Sequence, residues 1–310
     1  MFPNSVLTIS YVGSLGRDLL MYRDLNARPI GCFVGGVQQR TGACARPFDA
    51  KFPGQFLSIV QLTNDSKSWY NSLQVSFRQR SWHGINTQYN FTWGKCIDYN
   101  SINRGNARNA SPAQNPYNPA ANKGPCDYDV PRNFNAGGTY DIPKAKFLRR
   151  FGEGWQIGTV ATVLDGRPFT PLVGSRDRSG QDLNGNLRAD CTAPPKYNPR
   201  DPNNYIGNPS AFKRPANNTI GTCGRNSLRG PGFAQWDMNL NKTTRITERV
   251  SLQFRWEVFN VLNRANFSDP VVTVGSLFGT ISQTTDTAAG NPILAQGAPR
   301  NMQFVFKVKF

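Results

Sequence analysis

Apolar and polar residues alternate with a period of two along much of this chain, the spacing of side chains on a strand with one greasy face. Over 84–94, Ile85, Thr87, Tyr89, Phe91 and Trp93 alternate with Asn86, Gln88, Asn90 and Thr92. Over 250–258, Val250, Leu252, Phe254, Trp256 and Val258 oppose Ser251, Gln253, Arg255 and Glu257. The segment 69–79 sets Leu73, Val75 and Phe77 against Gln74, Ser76 and Arg78, and 234–243 sets Trp236, Met238 and Leu240 against Gln235, Asp237 and Asn239. The chain closes on 302–310, with Met302, Phe304, Phe306, Val308 and Phe310 on one side and Gln303, Lys307 and Lys309 on the other. Weaker alternation at 5–12, 18–25, 132–142 and 154–164 brings the predicted strands to nine.

The intervals between strands carry further information. Short connections fall at 13–17, 80–83, 143–153 and 244–249, and long ones at 26–68, 95–131, 165–233 and 261–301, so short and long alternate strictly. Loops of that length are uncommon in compact soluble domains, whereas a transmembrane barrel has short turns on the periplasmic side and long loops outside. Most segments supply the roughly 9 to 11 residues that a tilted strand needs to cross a bilayer. Their polar faces carry Gln, Asn, Ser, Arg and Glu, too hydrophilic for a sandwich interior and suited to a wet or plugged lumen. Trp69, Tyr70, Trp93, Trp155, Trp236, Phe259 and Phe310 lie near strand ends, where amphipathic rings meet headgroups. The expected fold is therefore all-β, an antiparallel transmembrane barrel segment filling 1–310. A soluble β-sandwich binding module is the competing architecture.

Composition agrees. Hydrophobic residues make up 38% of the 310, with 29 Gly and 22 Pro, and mean hydropathy is -0.50. No apolar run approaches the roughly 18 residues of a membrane-spanning helix. The opening Met1-Phe2-Pro3-Asn4 lacks the basic and apolar regions of a secretory signal. The formal charge of +17 raises nucleic acid as a partner. The basic residues are dispersed, however, and the densest group, Lys144, Lys146, Arg149 and Arg150, belongs to no basic helix or finger. Anionic lipopolysaccharide or anionic ligands account for the same excess, so no nucleic-acid partner is expected.

The six cysteines fall two to each of three long connections: Cys32 and Cys44, Cys96 and Cys126, Cys191 and Cys223. Loop disulfides suit an oxidising envelope, although six cysteines allow fifteen connectivities. Zinc has no C-x-x-C here and a single histidine. That residue, His83, lies in a predicted turn with no oriented acid or nucleophile in the sequence around it. No nucleophile elbow or phosphate loop appears, and no enzyme is expected. Hard oxygen ligands at alternate positions, Asp177, Asp182, Asn184, Asn186 and Asp190, outline a candidate calcium loop. Leu187 stands where glycine is expected and the bidentate Glu of an EF-hand is absent, so a plain polar loop competes with it. No other cofactor is expected.

Several segments together identify a resemblance. Tyr70-Asn71-Ser72-Leu73-Gln74-Val75-Ser76-Phe77, then His83-Gly84, then Tyr89-Asn90-Phe91-Thr92-Trp93-Gly94-Lys95 resembles the paired-strand signature of Oar-like TonB-dependent receptors. So do Asp127 to Arg132 leading to Tyr140-Asp141-Ile142-Pro143, and Gly166-Arg167-Pro168-Phe169-Thr170. The most specific run goes from Gly224-Arg225-Asn226 through Arg229-Gly230-Pro231-Gly232 and Trp236-Asp237 to Phe254–Asn263 and Asn266-Phe267. The resemblance covers nearly the whole chain. It implies the C-terminal part of a twenty-two-stranded outer-membrane barrel whose other parts are a signal peptide, a small β domain and a plug that TonB pulls. None of these is visible in the sequence, which implies a truncated reading of a longer gene.

The function these readings imply is uptake of a large or scarce ligand across the outer membrane of a Gram-negative bacterium. The disulfide-closed loops would meet the ligand, and Arg78, Asp237, Arg255 and Glu257 would face the lumen and plug. Phe306 and Phe310 would serve as the address read by the barrel assembly machinery. Outer-membrane lipid and lipopolysaccharide, the missing plug, and TonB acting through it complete the expected partners. A passive pore, a surface adhesin or an inactive gene fragment are the alternatives.

Overall fold

A computed structural model describes residues 4–101, 113–144, 152–174, 179, 187–289 and 296–310. Eight long strands form one antiparallel meander: β1 (Ser5–Asp24), β2 (Val60–Trp82), β3 (Ile85–Asp98), β4 (Arg132–Asp141), β5 (Trp155–Leu164), β6 (Phe233–Arg245), β7 (Ser251–Phe259) and β8 (Asn301–Lys309). Each pairs with its neighbour in sequence, and the two-residue strand Gly124–Pro125 adds a ninth member beside the loop end of β3. Among the described residues no helix is long and apolar enough to cross a membrane.

Register, rather than strand count, gives the sheet its character. One row of directly paired residues runs Leu7, Phe77, Tyr89, Ala136, Ala161, Trp236 across six strands. A second runs Ile85, Tyr140, Ile157, Leu240, Trp256, Phe304. Next to the first row, on the opposite face, runs Thr8, Ser76, Asn90, Asn135, Thr162, Gln235. A slip of one residue in any strand would exchange its two faces, so eight strands keeping the same apolar side reflect a single demand on that side. Leu7, Ile9, Tyr11, Trp93, Phe304 and Phe306 on it are exposed, Phe306 at 79%. A mostly apolar face of this breadth, without a covering layer among the described residues, fits a lipid environment and would drive aggregation in water.

The edges of that face behave as bilayer boundaries. Lys242 lies on it close to the short turns, where its ammonium sits over the Trp155 ring, 5.5 Å from the centroid, and donates to the Glu153 carbonyl. That is the snorkelling arrangement of a cation at an interface. At the loop edge, Arg132 makes a two-pronged pair with Asp165, Nε to Oδ2 at 2.8 Å and Nη2 to Oδ1 at 3.0 Å. On β3 the apolar positions run from 85 to 93, the length of one tilted crossing.

Two of the nine predicted strands are one. The segments 5–12 and 18–25 lie within the 20-residue β1, and the turn expected at 13–17 does not form. Gly13, Gly16 and Asp18 are turn residues by composition, but β2, 23 residues long, continues opposite them and keeps the ladder going. The irregularity is absorbed as register shifts between Gly16 and Leu19 and between Leu19 and Met21, with Asp18 at φ 53°, the signature of a bulge. The long loop expected at 26–68 is correspondingly shorter, because Val60–Ser68 belong to β2. The β1–β2 hairpin, longer than a bilayer requires, extends past its neighbours on the loop side.

The turn expected at 80–83 contracts to residues 83 and 84, because 80–82 belong to β2. His83 at φ 48° and Gly84 at φ 83° join β2 to β3 as a two-residue hairpin, whose left-handed pair matches strand twist. A Cβ at Gly84 would also stand 2.7 Å from the Asp141 carbonyl oxygen. All three short connections lie on one edge of the sheet and all four long ones on the other. Among the described residues the buried hydrophobic cluster lies in those long connections.

Candidate functional site

Arg78, Asp237, Arg255 and Glu257 fall on the polar face, as their alternation requires. They do not form one cluster. Arg78 lines a groove of about 710 Å³ with Arg80, Gln88, Asn90, Asn135 and Asn239. Arg255 pairs with Glu257 at 3.3 Å, and Gln303 donates to the same carboxylate. Asp237 works at the loop edge: its Oδ1 accepts from the Asn260 backbone N–H at 2.8 Å and from Gln235 Nε2 at 2.9 Å. Asn260, buried and at φ 49°, opens the connection between β7 and β8. Ser76 Oγ donates to Asn90 Oδ1 at 2.9 Å and Thr162 Oγ1 to Asn135 Oδ1 at 3.1 Å. Polar side chains on this face thus satisfy one another across strands, as a wetted lumen wall does.

The long connections are built as a folded assembly. Phe169, Val173, Leu187, Ile206, Phe212 and Leu228 from the β5–β6 connection pack with Phe278 and Ile281 from the β7–β8 connection, and the Phe212 and Phe278 rings stand 5.2 Å apart. Backbone hydrogen bonds stitch the same two connections, Leu172 N–H to Val272 O at 2.9 Å and Val274 N–H to Leu172 O at 2.7 Å. Disulfides join Cys32 to Cys44, Cys96 to Cys126 and Cys191 to Cys223, with Cα separations of 5.5, 5.4 and 4.9 Å. Each therefore links two positions in or bordering one connection.

Two arginines tie the β3–β4 and β5–β6 connections together. Arg225, with its side chain 11% exposed, pairs with Asp98 and with Asp127 at 3.1 Å. It also donates to the carbonyls of Asn122, Asp98 and Gly124 at 3.0, 3.0 and 3.2 Å. Arg229 pairs with Asp129 and donates to its carbonyl at 2.8 Å, while Asp129 Oδ1 accepts the Cys96 N–H at 2.7 Å. The first connection joins through Asn218, which accepts from Phe33 N–H and donates to Phe33 O, both at 2.7 Å. Tyr117 Oη adds a bond to the Ala27 carbonyl at 2.6 Å. Four connections separated in sequence thus form one continuous surface at one edge of the sheet.

Sequence reasoning assigned no role to Arg225, Arg229, Asp98 or Asp129. The signal was present, since Arg225 and Arg229 lie in the most specific run of the resemblance and Asp129 in another, but nothing local shows which partners they reach. His83 is exposed in its turn, with its ring 5.1 Å from that of Trp82. Of the calcium candidates, Asp177, Asp182, Asn184 and Asn186 lie outside the described residues, as do Lys146, Arg149 and Arg150. Asp190 accepts the Thr222 N–H at 2.9 Å, and among the described residues no group of three or more His, Cys, Asp or Glu could hold a metal ion.

Comparison with known proteins supplies the context. No curated protein sequence matches the chain. Among solved structures, the outer membrane transporter YddB from Escherichia coli superposes with a TM-score of 0.50 at 12% identity, over 100% of this chain and 31% of that one. BauA, the ferric preacinetobactin receptor from Acinetobacter baumannii, aligns over 97% of this chain and 27% of its own length, at 11% identity and a TM-score of 0.36. The chain thus spans about a third of the length of the solved structure it superposes on best of these two. A family model described as an outer membrane beta barrel domain matches residues 1–303. With that match and a sheet that carries exposed apolar residues along one face, the chain belongs to the outer membrane beta barrel domain family and resides in the outer membrane of a Gram-negative bacterium.

Proposed function

We propose that this chain is the ligand-facing barrel portion of an Oar-like TonB-dependent receptor, which takes up a large or scarce ligand with energy delivered by TonB through a plug. The observation that carries the reading is the compact, ion-paired loop assembly at one edge of a one-sided sheet. A pore that only passes solutes needs a wet lumen. A receptor also needs a surface stiff enough to recognise its ligand, since ordering loops on binding weakens affinity.

The two outer strands, β1 and β8, do not pair with each other among the described residues. Their free backbone groups would be costly in lipid, which supports pairing with further strands of a larger barrel. In that setting Arg78, Asp237, Arg255 and Glu257 face the plug, and Phe306 and Phe310 engage the assembly machinery. The loops meet lipopolysaccharide and ligand. The transport superposition supports the fold side of this reading, and the family match supports its location.

The test is genetic. Disrupting the gene and disrupting tonB in the same bacterium should impair growth on the same nutrient sources, with no added defect in the double mutant. A phenotype that persists unchanged when TonB is absent would favour a passive pore or adhesin and overturn the energised reading.

A further inference from the structure

Arg28, Arg225 and Arg229 in the loop assembly pair with carboxylates, and the buried Arg188 contrasts with them. Arg188 is 7% exposed, and among the described residues it forms no ion pair. Its guanidinium donates to Asn122 Oδ1. Asn122 is fixed for that purpose, because its amide nitrogen donates to the Tyr99 carbonyl at 2.6 Å. An arginine has five N–H donors, so most of the guanidinium's capacity is left to the cavity it borders. That cavity, about 150 Å³, is walled by Arg188, Asn122, Gln114, Thr222 and the Cys223 end of a disulfide.

The surroundings offer an anion more than they offer a cation. Arg225 is close enough to repel Arg188, and its own charge is already committed to Asp98 and Asp127. The nearest acid in sequence, Asp190, is turned to the Thr222 N–H. Burial, with Arg225 adding to it, pushes Arg188 down to about 10, the direction expected of a desolvated cation lacking a counter-charge. Thr222 Oγ1 accepts from the Cys191 N–H at 3.1 Å, which leaves its hydroxyl proton to donate. The backbone is pressed into place here: a Cβ at Gly221 would stand 1.9 Å from the Arg188 carbonyl oxygen.

Holding a neutral asparagine in position does not require a buried charge, and an uncompensated one is costly. We propose that the Arg188–Thr222 cavity is an oxyanion subsite that takes a carboxylate or phosphate group of the molecule these loops recognise. Arginine suits such groups through its planar fork of donors. The proposal rests on the reading that the loop assembly meets the ligand, and it adds the chemistry of one contact.

The chain folded in detergent is titrated with sodium acetate and with glucosamine 1-phosphate, ionic strength being held constant with chloride, while the thermal midpoint is followed. A saturable rise is expected, with half-saturation weakened at least tenfold in Arg188→Gln and several-fold in Thr222→Val. A response to both probes marks a general oxyanion site, and a response to the sugar phosphate alone assigns it to lipid headgroup phosphate. No saturable response, or one that Arg188→Gln leaves unchanged, overturns the proposal. Should Arg188→Gln fail to fold, Thr222→Val decides, and an unchanged half-saturation there overturns it too. Binding in detergent needs no energy source, so failure of this site and failure of TonB-coupled uptake give different results.

Discussion

Replacing Arg225 with alanine should release the loop assembly while leaving the sheet intact. Arg225 bridges two connections through five carbonyl or carboxylate partners. They contribute unequally. The side chain of Asp127 is 52% exposed, so its pair with Arg225 is worth about 1 kcal/mol or less. Asp98 is different: its side chain is 4% exposed, and besides Arg225 its carboxylate accepts from Ser101 Oγ at 2.6 Å. Removing the guanidinium strands that charge, and breaking a buried pair from one side costs about 3 to 5 kcal/mol. The undocked population of loops should then rise roughly a thousandfold, at about 1.4 kcal/mol per factor of ten. Limited proteolysis reads that population when reclosing is fast compared with cleavage. Cleavage in the 113–131 segment should accelerate strongly, while the protection of β3 to β6 stays unchanged. The diagnostic is rescue: Asp98→Asn in the Arg225→Ala background removes the stranded charge and should recover more than half of the loss. If Arg225→Ala speeds cleavage less than threefold, or Asp98→Asn makes the double variant worse, the clamp does not hold the loops.

Further outcomes follow from other parts of the molecule. Phe306 packs against Phe254, ring centroids 5.0 Å apart, on the lipid side, and Phe306→Lys should cost about 2 to 4 kcal/mol near mid-bilayer, read as loss of heat-modifiable mobility in gels. Burial raises the pKa of Tyr205, whose hydroxyl donates to the Arg229 carbonyl at 3.0 Å. A raised pKa contributes stability that is complete below about pH 10, the ordinary phenol value, and is lost as pH climbs beyond it. The loops should therefore loosen in strong alkali, and Tyr205→Phe should move that transition to higher pH, as seen by protease sensitivity. Opening the Cys191–Cys223 bridge, with a sequence separation of 32, should cost about 3 to 4 kcal/mol in chain entropy. Paired serine substitutions there should lower the melting of the loop assembly by more than they alter the sheet.

The sheet was legible because membrane strands state their environment in the sequence. Trp236, Met238 and Leu240 read as one face before any register was known, and the partners across β5 and β7 confirm it. The merging of 5–12 with 18–25 was not legible. Gly16 and Asp18 carry turn chemistry, and whether such residues make a turn or a bulge depends on whether a partner strand continues opposite them, which is a long-range fact. The loops were the least readable region. Their lengths and paired cysteines announced organisation, but Arg225 meets Asp98 across 127 residues, and no local pattern encodes that approach. Arg188 is a similar case, since nothing local in the sequence shows that among the described residues it is buried without a carboxylate partner.

The central claim is that the two faces of this sheet meet different solvents, and spin labels placed singly at positions 85 to 93 of β3 in reconstituted bilayers test it most directly. Collision with oxygen, which concentrates in lipid, should peak at positions 85, 87, 89, 91 and 93, and collision with a water-soluble nickel chelate at 86, 88, 90 and 92. Alternation of period two in opposite phase for the two reagents is the predicted result. Equal access of the water-soluble reagent to both sets would contradict it and place the apolar face against protein or water instead of lipid.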